Sequence, residues 1–510
     1  MKRRKGIMLQ GTASSVGKSL LTAALCRIFF QDGYRVTPFK SQNMALNSFI
    51  TEEGLEMGRA QVIQAEASNI APSAKMNPIL LKPTAEKAAQ VIIKGKVYKN
   101  MTASQYHEFK PQLKTMIKEI YEELSNSFDI VVIEGAGSPA EINLKENDIV
   151  NMGMAEIADS PVILIGDIDR GGVFASIYGT IMLLEENERK RIKGIIINKF
   201  RGDRKILEPG LKMLEELVNV PVLGVMPYGD LNIEDEDSVT DRFKKSAKKE
   251  NAIKVDVIRL PYISNFTDFH IIETLPQVEL RYVSSTDKIV DSDLVIIPGS
   301  KNTISDLKYL KDTGLDKEII NSHKRGAVIF GICGGYQMLG KSLADPYSVE
   351  GNIKEMDGLG LLDIETKFEG SKVTTQVEGF VEATGTIFNS SIKPIKVAGY
   401  EIHMGRTLLG KNAMPLIHIT KRFKDEANYF DGAVNETGNV FGTYLHGIFD
   451  DGEFTLEVIN YLLEKRGMDR VDKAIDLRGY KENEYNKLAK LFRENIDMKA
   501  IYAILEDTLC

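Results

Sequence analysis

The sequence predicts an α/β protein in two halves, each built on a parallel sheet, with a charged helical extension at the end. Three observations predict it. Short apolar, β-branched runs alternate with helix-length segments through the first half, and the pattern restarts near residue 253. A glycine-rich loop containing Gly17-Lys18-Ser19 follows the first apolar run. Far downstream, a second glycine-rich turn carries Cys333 at its centre. With 510 residues the chain is too long for one core, so two or three domains are expected: 1–250, 251–450 and a helical extension over 451–510.

In the first half, strands are expected at 6–10, 36–39, 130–134, 162–166 and 194–198. Each ends in polar or Gly-rich residues, where parallel sheets place their chemistry. After the first strand comes Gly11-Thr12-Ala13-Ser14-Ser15-Val16-Gly17-Lys18-Ser19, then the helix-favouring Leu20-Leu21-Thr22-Ala23-Ala24-Leu25. Strand, Gly-rich loop and helix N-terminus form the context of a phosphate-binding P-loop. Backbone N–H groups from Thr12 to Gly17 would cradle phosphates, Lys18 would neutralise β/γ charge, and Ser19 would hold Mg²⁺. Thr12 stands where the standard pattern has its first glycine, with Gly11 one position earlier; this variant resembles the loop of dethiobiotin synthetase.

Other candidates sit at the ends of the remaining strands. Lys40 is placed to reach a phosphate or the substrate, or is an exposed lysine. Glu134, leaving a hydrophobic strand into Gly135-Ala136-Gly137, is placed to bind Mg²⁺, or is a strand-terminal surface carboxylate. Asp167 and Asp169 repeat that logic, with a metal or substrate role for one of them. Asn198 can read adenine through its amide or simply cap its strand.

A charged stretch over 231–249 reads as a connector. The second series has expected strands at 253–258, 294–297 and 327–330, a β-rich region after about residue 351 that includes 374–381 and 440–444, and a helical tail from 455. The run Ala327-Val328-Ile329-Phe330-Gly331-Ile332-Cys333-Gly334-Gly335-Tyr336-Gln337 reads as a nucleophile elbow with sulfur in place of the serine oxygen. Flanking glycines relieve the crowding of a sharp strand-to-helix turn, and the helix start favours thiolate. The turn Pro298-Gly299-Ser300 can supply oxyanion-hole N–H groups from Gly299, together with that of Gly334. Of six histidines, His446, after an apolar strand and before a glycine, is the leading base for Cys333; His403 is the competitor.

Composition sets limits. The net charge of −7 argues against a nucleic-acid groove. The three cysteines, Cys26, Cys333 and Cys510, are too far apart for a CxxC metal site or a disulfide framework, as expected in a reducing cytoplasm. The start, Met1-Lys2-Arg3-Arg4-Lys5, leads into the phosphate loop rather than a signal-peptide apolar core, and no run reaches the ~18 apolar residues of a membrane span.

A P-loop half joined to a Cys/His half resembles the cobyric acid synthase family. The resemblance covers nearly the whole chain. Besides the runs above it is carried by Lys40-Ser41-Gln42-Asn43-Met44-Ala45-Leu46-Asn47-Ser48, Gly135-Ala136-Gly137-Ser138-Pro139-Ala140-Glu141, Asp167-Ile168-Asp169-Arg170-Gly171-Gly172, Gly299-Ser300-Lys301-Asn302-Thr303 and Gly399-Tyr400-Glu401-Ile402-His403. It implies a dethiobiotin synthetase-like P-loop domain and a class I (triad-type) glutamine amidotransferase domain, with Cys333 as nucleophile and His446 as its partner. It further implies ATP, Mg²⁺, glutamine and a corrinoid, and amidation of the b, d, e and g carboxylates of adenosylcobyrinic acid a,c-diamide through acyl phosphates, a step of cobalamin biosynthesis. The synthase that makes the a,c-diamide would share Lys18, Cys333 and His446; the runs around Asn43 and Asp169 favour the first family. A P-loop ATPase or partitioning switch with a non-catalytic second domain is the alternative of another class. One departure stands out. Triad glutaminases carry a Glu two residues after the His, and here that position is Ile448.

Overall fold

The computed structural model describes residues 5–85, 88–229, 231–234, 249, 251–388, 393–473 and 476–507. Most of the connector expected over 231–249, and Cys510, lie outside the described residues. The chain divides into two compact units. One takes residues 1–45, 56–236 and 481–510; the other takes 46–55 and 237–480. The division expected near residue 250 falls at 236/237, and the 451–510 stretch is shared between the two units.

The first unit is built on a six-stranded parallel sheet of β1 (Lys5–Gly11), β2 (Val36–Phe39), β3 (Ile130–Glu134), β4 (Val162–Asp167), β5 (Ile192–Phe200) and β6 (Val222–Pro227), in the order β6-β5-β4-β1-β3-β2. Alternate side chains of a strand point to opposite faces. Ile7, Leu9, Val132, Ile163 and Ile165 enter one core, while Met8, Val131, Ile133, Leu164 and Ile197 enter the other. Both faces are covered, which is why these strands read as unbroken apolar runs. The first core also takes Leu488 and Phe492 from the helix Leu477–Asn495, and Ile501 and Leu505 from the helix Met498–Asp507.

The second unit centres on an eleven-stranded mixed sheet. Its parallel part contains β7 (Ile253–Ile258), β8 (Val278–Val283), β9 (Leu294–Ile297), β10 (Val328–Ile332) and β11 (Val440–Thr443), in the order β8-β7-β9-β10-β11. Long antiparallel strands over Ile364–Val381, Ile395–Leu409, Ala413–Arg422 and Asp425–Asn435 make the expected β-rich region. Because β9, β10 and β11 are parallel neighbours, their C-terminal ends open at one edge. The residues just beyond those ends are Gly299, Cys333 and His446. Among the described residues, no helix is long and apolar enough to cross a membrane.

Candidate active site

β10 ends one residue before Cys333, which adopts φ 51 and ψ −108 as the chain turns into the helix Gly334–Met338. A side chain with a Cβ visits that region only where its surroundings impose it. Here the imposition is close packing: a Cβ on Gly335 would lie 1.9 Å from the Ile297 carbonyl oxygen at the end of β9. The Cys333 N–H donates to the Thr443 carbonyl at 2.8 Å, and the buried Sγ lies 3.6 Å from the Ile402 carbonyl.

His446 is hydrogen-bonded to Cys333 and is fully enclosed. Its Nδ1–H donates to Asp268 Oδ2 at 2.7 Å, and Asp268 Oδ1 accepts the Gly447 N–H at 3.1 Å. Burial alone would strip the ring of its proton. The charge and hydrogen bond of Asp268, with the bond to Cys333, outweigh that and raise the His446 pKa to about 10. The ring therefore carries a proton at neutral pH, available to a leaving group. Asp268 sits in the short turn Phe266–Phe269 and supplies the orienting carboxylate missing two residues after the histidine. Ile448, at that position, is fully buried in the apolar core.

His403 has a different environment. Burial lowers its pKa to about 4, its Nδ1–H donates to the Gly405 carbonyl at 2.8 Å, and its ring stacks on Tyr444 with centroids 3.7 Å apart. It is a neutral packing histidine beside the site. The turn at Gly299 closes on the elbow. A Cβ on Gly299 would stand 3.1 Å from His446 Cε1, and one on Gly334 would stand 2.9 Å from the Ser300 nitrogen. Gly299, Ser300 and Gly334 thus converge at Cys333, where an oxyanion would form.

In the first unit the loop between β1 and the helix Lys18–Gln31 turns at Gly17, with φ 97. Lys18 Nζ donates to the Ala13 carbonyl at 2.9 Å and the Gly137 carbonyl at 3.0 Å, so it spans the mouth of the loop. The Thr12 N–H is tied to the Ile165 carbonyl of β4 at 2.9 Å. Asn198 Nδ2 donates to the Val16 carbonyl at 2.8 Å, bracing the loop from β5. Glu134 closes β3 as a buried hub. Its Oε1 accepts from Ser19 Oγ and from Lys40 Nζ, each at 2.8 Å, and its Oε2 accepts from Gln64 Nε2 at 2.5 Å. Asp167 is engaged elsewhere, by Lys199 Nζ at 2.9 Å, and the same Nζ donates to the Ser15 carbonyl at 2.6 Å. A hydroxyl and a carboxylate side by side are the hard oxygen donors Mg²⁺ takes, the remainder coming from phosphate and water. Ser19 and Glu134 fit that ion, whereas Asp167 holds the loop through Lys199. Among the described residues there is no cluster of three or more His, Cys, Asp or Glu side chains suited to a metal. Beside the loop opens a cavity of about 1070 Å³, lined by Ser14, Gly137 and Asn151 and by charged side chains of both signs, among them Lys110, Lys114, Glu146 and Asp148.

The loop, the Cys333 elbow and its histidine were anticipated from local sequence; Asp268 was not. It lies 178 positions from His446, and its one local hint is a polar residue set between Phe266 and Phe269.

Fold and site together define a glutamine amidotransferase domain joined to a P-loop nucleotide-binding domain. Residues 254–454 match the CobB/CobQ-like glutamine amidotransferase domain, and residues 7–238 match the CobQ/CobB/MinD/ParA nucleotide binding domain. The chain is 64% identical over 500 residues to the cobyric acid synthase of Alkaliphilus metalliredigens, covering 98% of this chain and 99% of that one. It is 56% identical over 500 residues to that of Thermoanaerobacter sp., covering 98% of each. The chain belongs to the cobyric acid synthase family.

Proposed function

We propose that this protein is a cytoplasmic ligase that uses ATP and glutamine to convert the b, d, e and g carboxylates of adenosylcobyrinic acid a,c-diamide to amides. The observation that carries the reading is a Cys333–His446–Asp268 triad in one unit of a chain whose other unit presents a P-loop. The sulfur of Cys333, its proton carried by His446, attacks the side-chain amide carbon of glutamine, and N–H groups around Gly299 and Gly334 receive the oxyanion. The amide nitrogen leaves as ammonia with the proton held on His446, and water releases glutamate from the thioester.

At the other site, Lys18 and the loop N–H groups hold the ATP phosphates, and Asn198, which braces the loop through the Val16 carbonyl, is the candidate to read the adenine. Ser19 and Glu134 would hold Mg²⁺, which supplies charge neutralisation at the transferring phosphoryl group. A substrate carboxylate oxygen takes the γ-phosphoryl group, giving an acyl phosphate and ADP; ammonia then forms the C–N bond and phosphate departs. Activation is required because a carboxylate alone is a poor electrophile.

The test is product mass after incubation of the a,c-diamide with ATP and either glutamine or ammonium. Wild type is expected to add the amides from both nitrogen sources. Cys333→Ser keeps only the ammonium reaction, and Lys18→Ala loses both by about 100-fold or more. Absence of amidation in wild type, or glutamine use undiminished in Cys333→Ser, overturns the reading.

A further inference from the structure

The stretch 46–55 belongs to the glutaminase unit, although the residues on either side of it in the chain belong to the P-loop unit. Its contacts converge on the triad. The Ser48 N–H donates to Asn265 Oδ1 at 3.0 Å, and the Ser48 carbonyl accepts the Tyr400 hydroxyl at 3.1 Å. Asn265 immediately precedes the turn Phe266–Phe269 that carries Asp268. Tyr400 stacks on His446, with centroids 5.4 Å apart and planes 20° apart. The two residues also exchange backbone hydrogen bonds of 3.1 and 2.9 Å. Ile50 forms a small apolar cluster with Tyr400 and Ile402, the residue whose carbonyl faces Cys333 Sγ, and Phe49 packs against Tyr400 edge to face. Gln376 Nε2 fixes the Ile50 carbonyl at 2.8 Å.

We propose that residues 46–55 are a strap that positions the glutaminase triad, with the Ser48 backbone as its pivot and Tyr400 and Asn265 as positioning residues. Neither residue touches the reacting atoms. Each fixes the setting of one that does: Tyr400 that of His446, and Asn265 that of the Asp268 turn. Ser48, Asn265 and Tyr400 are all buried, so the bonds made by the Ser48 backbone are shielded from water. A lost partner there leaves a buried polar group unsatisfied and the triad loosely placed, and misplacement of about 1 Å is enough to cost on the order of 100-fold in rate.

The inference rests on the glutaminase reading above, and the experiment separates the two. Tyr400→Phe keeps the ring on His446 and removes its hydroxyl bond to the Ser48 carbonyl. Asn265→Gly removes the acceptor for the Ser48 N–H; because Asn265 has φ 52, glycine keeps the backbone unstrained. Glutamine hydrolysis, ammonium-dependent amidation and alkylation of Cys333 by iodoacetamide are measured on the full chain. In each variant, kcat for glutamine is expected to fall about tenfold with KM within about twofold, alkylation of Cys333 to slow in parallel, and ammonium-dependent amidation to stay at the wild-type rate. If wild type hydrolyses glutamine and both variants match it, or if ammonium-dependent amidation falls equally, the strap has no positioning role. If wild type hydrolyses no glutamine, the glutaminase reading and the strap both fall.

Discussion

Asp268 changes what His446 is at neutral pH. Burial disfavours the imidazolium, yet the neighbouring carboxylate and the bond to Cys333 hold its pKa near 10, above an ordinary value of 6.5. Since the folded pKa is raised, the stabilisation from this contact is complete below about pH 6.5 and is lost as pH rises through 10. Asp268→Asn removes the largest contribution opposing burial, so the His446 midpoint is expected to fall by more than about one unit. NMR titration of the His446 ring checks this, and the alkaline fall in glutamine turnover is expected to move with it. An unmoved midpoint would remove Asp268 as the group that orients and charges the ring. Cys333, Lys18 and Ser19 were readable because their chain neighbours impose their geometry. Asp268 was not, because its meaning arises only when the turn after β7 folds onto the end of β11.

The elbow works as an element because its glycines allow backbone to pass backbone. A methyl group at residue 335 would meet the Ile297 carbonyl at 1.9 Å, a rigid neighbour on the adjacent strand. Gly335→Ala is expected to destabilise the glutaminase unit by about 1–3 kcal/mol, as overpacking does, and to slow glutamine hydrolysis about tenfold or more. Denaturant midpoints and hydrolysis rates test this; a variant as stable and as fast as wild type would show that the turn has room to spare. The parallel strands that were anticipated agree to within a residue or two, because double burial writes them as apolar runs, whereas β6 and β8 were not anticipated. The long strand Ile364–Val381 was anticipated only from residue 374. Its first part includes Glu369-Gly370-Ser371-Lys372, a polar, Gly-containing stretch with a register shift between Phe368 and Val373.

At the scale of the molecule the two units interleave along the chain. The closing helices were anticipated as an extension, yet residues from 481 onward belong to the first unit. Leu488, Phe492, Ile501 and Leu505 are almost wholly buried there, Arg27 pairs with Glu482 at 2.5 Å, and Asp32 pairs with Arg493 at 2.7 Å. At about 1.5–3 kcal/mol for each buried side chain, the apolar contribution alone rivals the net stability of a typical domain. A chain ending at Tyr480 is expected to lose nucleotide binding and the thermal transition of the P-loop unit, while still hydrolysing glutamine. Calorimetry with and without an ATP analogue measures this, and an intact nucleotide-dependent transition would refute it. Helical periodicity announced these helices, but which core they complete depends on contacts far back in the sequence.

The strap carries a genetic consequence. A gene cut at the seam near codon 237 would encode one product without the helices that finish its core and another without the segment that steadies its triad. The ammonia-releasing and ammonia-consuming activities are thereby bound to a single reading frame. They are translated in strict one-to-one ratio, with no need for the cell to balance two messages.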